Sequence, residues 1–255
     1  MAYRPLWLHW RDFANALALL TRLPAPGADG AHNARSVWAW PLVGAVVGVL
    51  ATCGALSALW IGASYTLAAG GAIAIGIIVT GALHEDGLAD VADGIGGGAT
   101  PKQRLDIMRD SRIGSFGVIA LALTLGLKWD VLVDLFQTGM IWQALIIPAM
   151  ISRAAMAITM ANLPFARTTG LAHQIGHPDL GWAGFGAAIS IFCAMIFIGT
   201  FAIIAALVAG IIAFGMGRLA HHKIGGQTGD VLGATQILTE TGILITFSIW
   251  QGSAI

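Results

Sequence analysis

Apolar residues in this chain gather in seven long stretches of 17 to 24 positions, near 37–60, 63–83, 114–130, 140–161, 182–199, 201–219 and 233–251. A bilayer core about 30 Å thick takes roughly 20 helical residues to cross, so each stretch predicts one transmembrane helix. The fifth and sixth belong to one apolar tract from Trp182 to Met216 that is too long for an ordinary span, and Gly199-Thr200 is where it divides. Ahead of the first span, Leu6, Trp7, Trp10, Phe13, Leu17 and Leu20 recur at helical spacing with Arg4, Arg11 and Arg22 between them. This pattern predicts an amphipathic helix at the membrane interface, with packing against the bundle as the alternative. The fold class is therefore all-α: a polytopic bundle of about seven transmembrane helices and an N-terminal interfacial helix, forming a single domain over 1–255.

Composition strengthens this reading. Hydrophobic residues make up 57% of the chain and charged residues only 10%, with a mean hydropathy of +0.80, whereas soluble domains carry about 25% charged residues. The net charge is zero, from 13 basic and 13 acidic residues, so no overall field attracts nucleic acid. Cys53 and Cys193 lie within apolar runs and read as small packed hydrophobes. No cleaved signal segment is evident before the Pro24-Ala25-Pro26-Gly27 turn. With the N-terminus inside, 11 of the 13 Lys and Arg residues fall on the inner side, against Lys128 outside and Arg153 within a span. This asymmetry predicts a cytoplasmic N-terminus.

Charge is also concentrated locally. Six of the 13 acidic residues lie between positions 85 and 110, four of them in His84-Glu85-Asp86-Gly87-Leu88-Ala89-Asp90-Val91-Ala92-Asp93-Gly94. On a helix, Asp86, Asp90 and Asp93 fall within about 60° of arc, so their oxygens are expected to face a common centre. Crowded carboxylates beside hydrocarbon repel one another unless a cation is bound, and Mg²⁺ takes oxygen ligands of this kind. Glu85 is displaced by about 100° from Asp86 and is expected to ligate or position the ion.

Three further segments complete a predicted phosphate site on the same side. The run Gly94-Ile95-Gly96-Gly97-Gly98 reads as a glycine-rich turn whose amides at Gly96 and Gly97 approach a phosphate. Arg109-Asp110-Ser111-Arg112, followed by Ile113-Gly114-Ser115-Phe116-Gly117, joins two guanidinium groups and the Ser111 hydroxyl to the start of a span, which suits anion binding. Lys223-Ile224-Gly225-Gly226-Gln227-Thr228-Gly229-Asp230 supplies the polar groups of Gln227 and Thr228 and a carboxylate. Asp230 is expected to ligate metal, act as a base or cap a helix. Arg153 lies well inside a span, which marks either a substrate contact or a pair with Glu240. The segment 162–178, with Arg167, Thr168, Thr169, His173 and His177, is placed as a lid over the site. Together these features suit Mg²⁺-assisted transfer of a phosphate-linked group. No Walker-type Gly-x-x-x-x-Gly-Lys-Ser/Thr sequence is present.

The stretches 84–94, 108–117 (Met-Arg-Asp-Ser-Arg-Ile-Gly-Ser-Phe-Gly) and 225–234 (Gly-Gly-Gln-Thr-Gly-Asp-Val-Leu-Gly-Ala) closely resemble the cobalamin-5'-phosphate synthases, also called adenosylcobinamide-GDP ribazoletransferases. The resemblance extends to chain length, order of motifs and hydropathy. It implies an enzyme of the bacterial inner membrane, with its active site facing the cytoplasm. There α-ribazole or its 5'-phosphate displaces GMP from adenosylcobinamide-GDP with Mg²⁺ as cofactor. On this reading Asp86, Asp90 and Asp93 hold Mg²⁺ against the diphosphate. Arg109 and Arg112 neutralise GMP, and Asp230 binds a second metal or takes the proton of the attacking hydroxyl. The partners are these two substrates and the lipid bilayer, while homo-oligomerisation is left open.

Two other classes fit less well. The CDP-alcohol phosphotransferases also use clustered aspartates and Mg²⁺, but their Asp-x-x-Asp-Gly-x-x-Ala-Arg signature is missing here, because Asp86-Gly87-Leu88-Ala89-Asp90 lacks the upstream Asp and the Ala-Arg pair. A cation transporter requires mid-membrane carboxylates on several spans, whereas only Glu240 is evident.

Overall fold

The computed structural model describes residues 6–28 and 33–252. Among these, helices follow one another as α1 (Leu6–Leu20), a 3₁₀ turn (Ala34–Ala39), α2 (Trp40–Trp60), α3 (Tyr65–Thr80), α4 (Leu83–Gly97), α5 (Pro101–Ile107), α6 (Ser115–Gln137), α7 (Ile141–Asn162), α8 (Leu171–Ile175), α9 (Leu180–Ile198), α10 (Phe201–Ile224) and α11 (Gly229–Gly252). Six helical segments are long and apolar enough to cross a membrane, and the bent pair α3–α4 brings the number to seven if it counts as one broken span. The chain is an integral membrane protein built as a helix bundle. The division of the 182–216 tract holds, with α9 ending at Ile198 and α10 starting at Phe201.

Close helix approach organises the interior. In α2, a Cβ on Gly44 or Gly48 would collide with the carbonyls of Ala149 and Leu145 in α7, so this Gly-x-x-x-Gly pair brings two backbones into direct contact. Helix α7 is the centre of the bundle, with 83% of its most apolar window buried. Around it the core joins Leu132 and Phe136 of α6 to Phe201 of α10 and Phe247 of α11, whose rings stack at 4.9 Å between centroids. The outward faces are also apolar, with Phe192, Ile196, Leu207, Ile211 and Phe214 exposed, as a lipid-facing surface requires. Cys53, expected to pack, instead lies on the exposed face of α2.

Helix α1 forms as the spacing predicts, and it docks on the bundle. Asp12, Ala14, Ala16 and Leu20 are buried, Trp10 is exposed, and Asp12 accepts a hydrogen bond from the Trp38 indole at 3.3 Å. Arg4 and the side chains of Leu6 and Trp7 lie outside the described residues.

The second span departs from expectation. Helix α3 has only 16 residues, and Gly81 (φ 66°) and Ala82 (φ 59°) then turn the chain through 88° into α4. The acidic helix therefore runs across the bundle instead of extending α3. Lys128 also differs from its predicted position outside the membrane. Helix α6 continues to Gln137, which carries Lys128 into the bundle, where its ammonium meets Glu240 at 2.7 Å.

Candidate active site

Three polar connections meet at one end of the bundle. The link from α4 to α6 is organised by α5, where Thr100 and Gln103 cap the helix reciprocally, and Arg104 donates to the carbonyl of Lys223 at the end of α10. The link from α7 to α9 lies on the turn between α10 and α11 through a parallel bridge pairing Phe165 with Gln227. In that bridge Ala166 N–H donates to the Gln227 carbonyl at 2.9 Å, and Gln227 N–H to the Pro164 carbonyl at 2.8 Å. Gly226 permits the approach, since a Cβ there would strike the Pro164 carbonyl. Apart from Lys128 and Arg153, every described Lys and Arg lies toward this end.

At its centre is a cavity of about 240 Å³ whose polar wall includes Asp86, Arg167, Thr169, Gln227, Thr228 and Asp230. Gly87 makes this wall possible. A Cβ at Gly87 would lie 2.8 Å from the Asp230 carbonyl, so α4 and α11 touch there and Asp86 and Asp230 enter one space. Asp230 accepts from the Thr228 hydroxyl at 3.1 Å and pairs with Arg167 at 3.3 Å. Thr228, and not Asp230, caps α11 by accepting from Val231 N–H. Asp90 follows Asp86 on the same helical face and is close enough to feel the charges of Asp230, Asp86 and Arg167. Burial pushes the Arg167 guanidinium down from its ordinary range, and Asp230 opposes the shift; arginine remains charged regardless. Arg109 donates to the Thr169 hydroxyl at 3.2 Å, which brings a second guanidinium to the cavity rim.

Other predicted site residues are placed differently. Asp93 does not share a centre with Asp86 and Asp90: its oxygens accept from Gly114 N–H at 2.7 Å and Gly117 N–H at 2.9 Å. It therefore caps α6, which gains a negative charge at its positive end. Gly96 and Gly97 form no turn, because α4 remains helical through Gly97 and the Gly98 N–H bonds to the Gly94 carbonyl. A Cβ at Gly96 would meet the Phe116 ring instead of an open anion site. The Arg112 side chain is 87% exposed and ion-paired to Asp110 at 2.7 Å, and those hydrogen bonds hold the Asp110 carboxyl down at about 2. Ser111 is exposed beside them.

Arg153 and Glu85 face away from the cavity into the bundle interior. Arg153, only 1% exposed, donates to the Ala149 carbonyl and approaches His84 Nε2 at 3.4 Å. Glu240 pairs with Lys128, not Arg153, and accepts from Gln236 at 2.6 Å. Glu85 lines the same small buried space as Lys128, Arg153 and Glu240. This cluster neutralises its charges internally, which is the condition for burying them at all.

Sequence reasoning placed Arg167 only in a lid. The available signal was its position as the single cation in an otherwise polar inner segment. Carboxylates of two elements, α4 and α11, and two arginines thus surround one open space, an arrangement suited to holding a phosphate-linked substrate. Among the described residues no three His, Cys, Asp or Glu side chains converge to hold a metal. The donor set still fits Mg²⁺, which uses one or two carboxylates and fills its remaining positions with water and substrate phosphate oxygens.

Fold and site together define a polytopic membrane protein with its polar chemistry gathered at one end. Residues 12–248 match the family model described as cobalamin-5-phosphate synthase, and the chain belongs to that family. Relatives named adenosylcobinamide-GDP ribazoletransferase include proteins from Mesorhizobium japonicum (39% identical, 93% of each chain covered), Sinorhizobium sp (39%, 91% of this chain and 94% of the relative) and Rhizobium johnstonii (41%, with the same coverage). No solved structure matches the chain.

Proposed function

We propose that this protein joins adenosylcobinamide-GDP to α-ribazole or its 5'-phosphate, releasing GMP. An oxygen of the ribose hydroxyl forms a bond to the phosphorus that carries the cobinamide. The bond from that phosphorus to the GMP oxygen breaks, and GMP leaves with the electron pair. The observation that carries this reading is the shared cavity of Asp86, Asp230 and Arg167, in a chain of this family.

Each side chain has a separate task. Arg167 and Arg109 bind the diphosphate and offset the charge that grows on the departing oxygen. Asp230, oriented by Thr228 and Arg167, accepts the proton of the attacking hydroxyl. Asp86 and Asp90 are the carboxylates that would hold Mg²⁺. When bound, the ion neutralises phosphate charge and polarises the reacting phosphorus. By the excess of basic residues at this end, the site faces the cytoplasm across the inner membrane of a bacterium.

Purified protein in detergent, given both substrates and Mg²⁺, is expected to release GMP together with a corrinoid of the joined mass. Chelation of Mg²⁺ should abolish release and re-addition should restore it. Asp86→Asn should lower kcat by about 10²-fold. Parent-level turnover in Asp86→Asn at saturating Mg²⁺ overturns the assignment.

A further inference from the structure

The cavity has two unlike walls. Opposite the charged groups, Leu20, Trp40, Met156, Ala172, Ile175 and Leu232 line it and belong to one buried apolar cluster. Phe165 and His173 stand beside this wall with their rings edge to face at 5.3 Å. Two buried polar groups in the lining have no partner among the described residues. The Gln227 side chain, 1% exposed, leaves both amide atoms unpaired, and Trp40, also 1% exposed, leaves its indole N–H unpaired. Both are costly unless something hydrogen-bonds to them, since an unsatisfied buried polar group forfeits about 1–3 kcal/mol.

We propose that this wall is the subsite for the base of the attacking nucleoside, a planar and largely apolar heteroaromatic ring with an acceptor nitrogen. The proposal rests on the transferase reading above and adds to it which substrate half this cavity takes. The apolar wall covers the ring faces, and the ring nitrogen accepts from the Trp40 indole or the Gln227 amide once that covered side chain turns toward it. The ribose then points toward Asp230, where its hydroxyl loses the proton. Guanine fits this wall poorly. Its edge carries several donors and acceptors, and a wall with two unpaired groups would leave most of them unbonded. About 240 Å³ is too small to enclose a corrin macrocycle. A benzimidazole riboside such as α-ribazole has the required character.

Equilibrium titration of the full-length protein in detergent tests this without turnover. Wild type should bind α-ribazole, more weakly bind adenosine, and bind guanosine weakest, because the polar edge grows along that series. Gln227→Leu keeps the backbone bridge and is expected to weaken α-ribazole binding at least tenfold and GMP binding by clearly less. Trp40→Phe, which removes only the indole donor and part of the ring, should act in the same direction. Guanosine binding tighter than α-ribazole, or a loss of GMP affinity in Gln227→Leu with α-ribazole unaffected, overturns the subsite. GMP release is recorded on the same samples. Its absence from wild type that binds α-ribazole counts against the transferase reading alone.

Discussion

At the scale of single residues, what a carboxylate does here depends on which neighbour reaches it first. Asp86, Asp90 and Asp93 lie on one face of α4, yet Asp93 is claimed by two amides of α6. Helical spacing revealed the shared face but not the amides, which come from a segment about twenty positions away. Asp93→Ala should therefore lower thermal stability by about 1 kcal/mol, as loss of a cap does, visible in a melting curve even without substrate. Asp86 and Asp230 were legible from sequence because carboxylates at the end of an apolar run have no packing role there. Arg167 was not, since its partner depends on a backbone bridge between loops. Arg167→Ala is expected to cut kcat by about 10²-fold and Arg167→Lys by less, measured as GMP release. Gly87 is equally sensitive. Adding a Cβ, as in Gly87→Ala, presses on the Asp230 carbonyl and should cost on the order of 10²-fold in kcat through misplacement of the two carboxylates.

Among the elements, the long apolar stretches gave their helices plainly, because a membrane leaves little alternative to a helix with all its backbone groups bonded. The 88° bend was illegible for a specific reason. Its second residue is Ala82 at φ 59°, a conformation an alanine adopts only when tertiary contacts impose it. Ala82→Gly should relieve that strain and raise stability by ~0.5 kcal/mol after the added freedom of the unfolded chain is counted. Ala82→Val should lower stability by more, and tryptophan-monitored melting in detergent separates the two. The glycine run at 94–98 misled for a related reason: packing against Phe116 and Met108 keeps it helical where composition alone favours a turn. In α2, Gly48→Leu should push α7 away and destabilise the bundle by about 1–3 kcal/mol.

Across the whole molecule, polar chemistry and basic charge share one end, while Trp60, Trp142 and Trp250 close the helices at the other, as aromatic residues do at a membrane interface. Cysteines placed at Ser111 and at Thr138, in a background with Cys53 and Cys193 replaced by Ala, should label from opposite faces of oriented vesicles, Ser111 from the cytoplasmic one. Labelling of both from the same face contradicts the topology. The interior cluster of Lys128, Arg153 and Glu240 carries a consequence for how the chain is made. Synthesis runs from the N-terminus, so Lys128 on α6 and Arg153 on α7 enter the membrane well before α11 delivers Glu240. Until then the nascent bundle sets two cations, Lys128 and Arg153, against the single carboxylate of Glu85 in a medium that penalises unbalanced charge. The last helix thus completes the electrostatics of a partly assembled interior, and a chain ending before position 240 is expected to leave that interior one negative charge short.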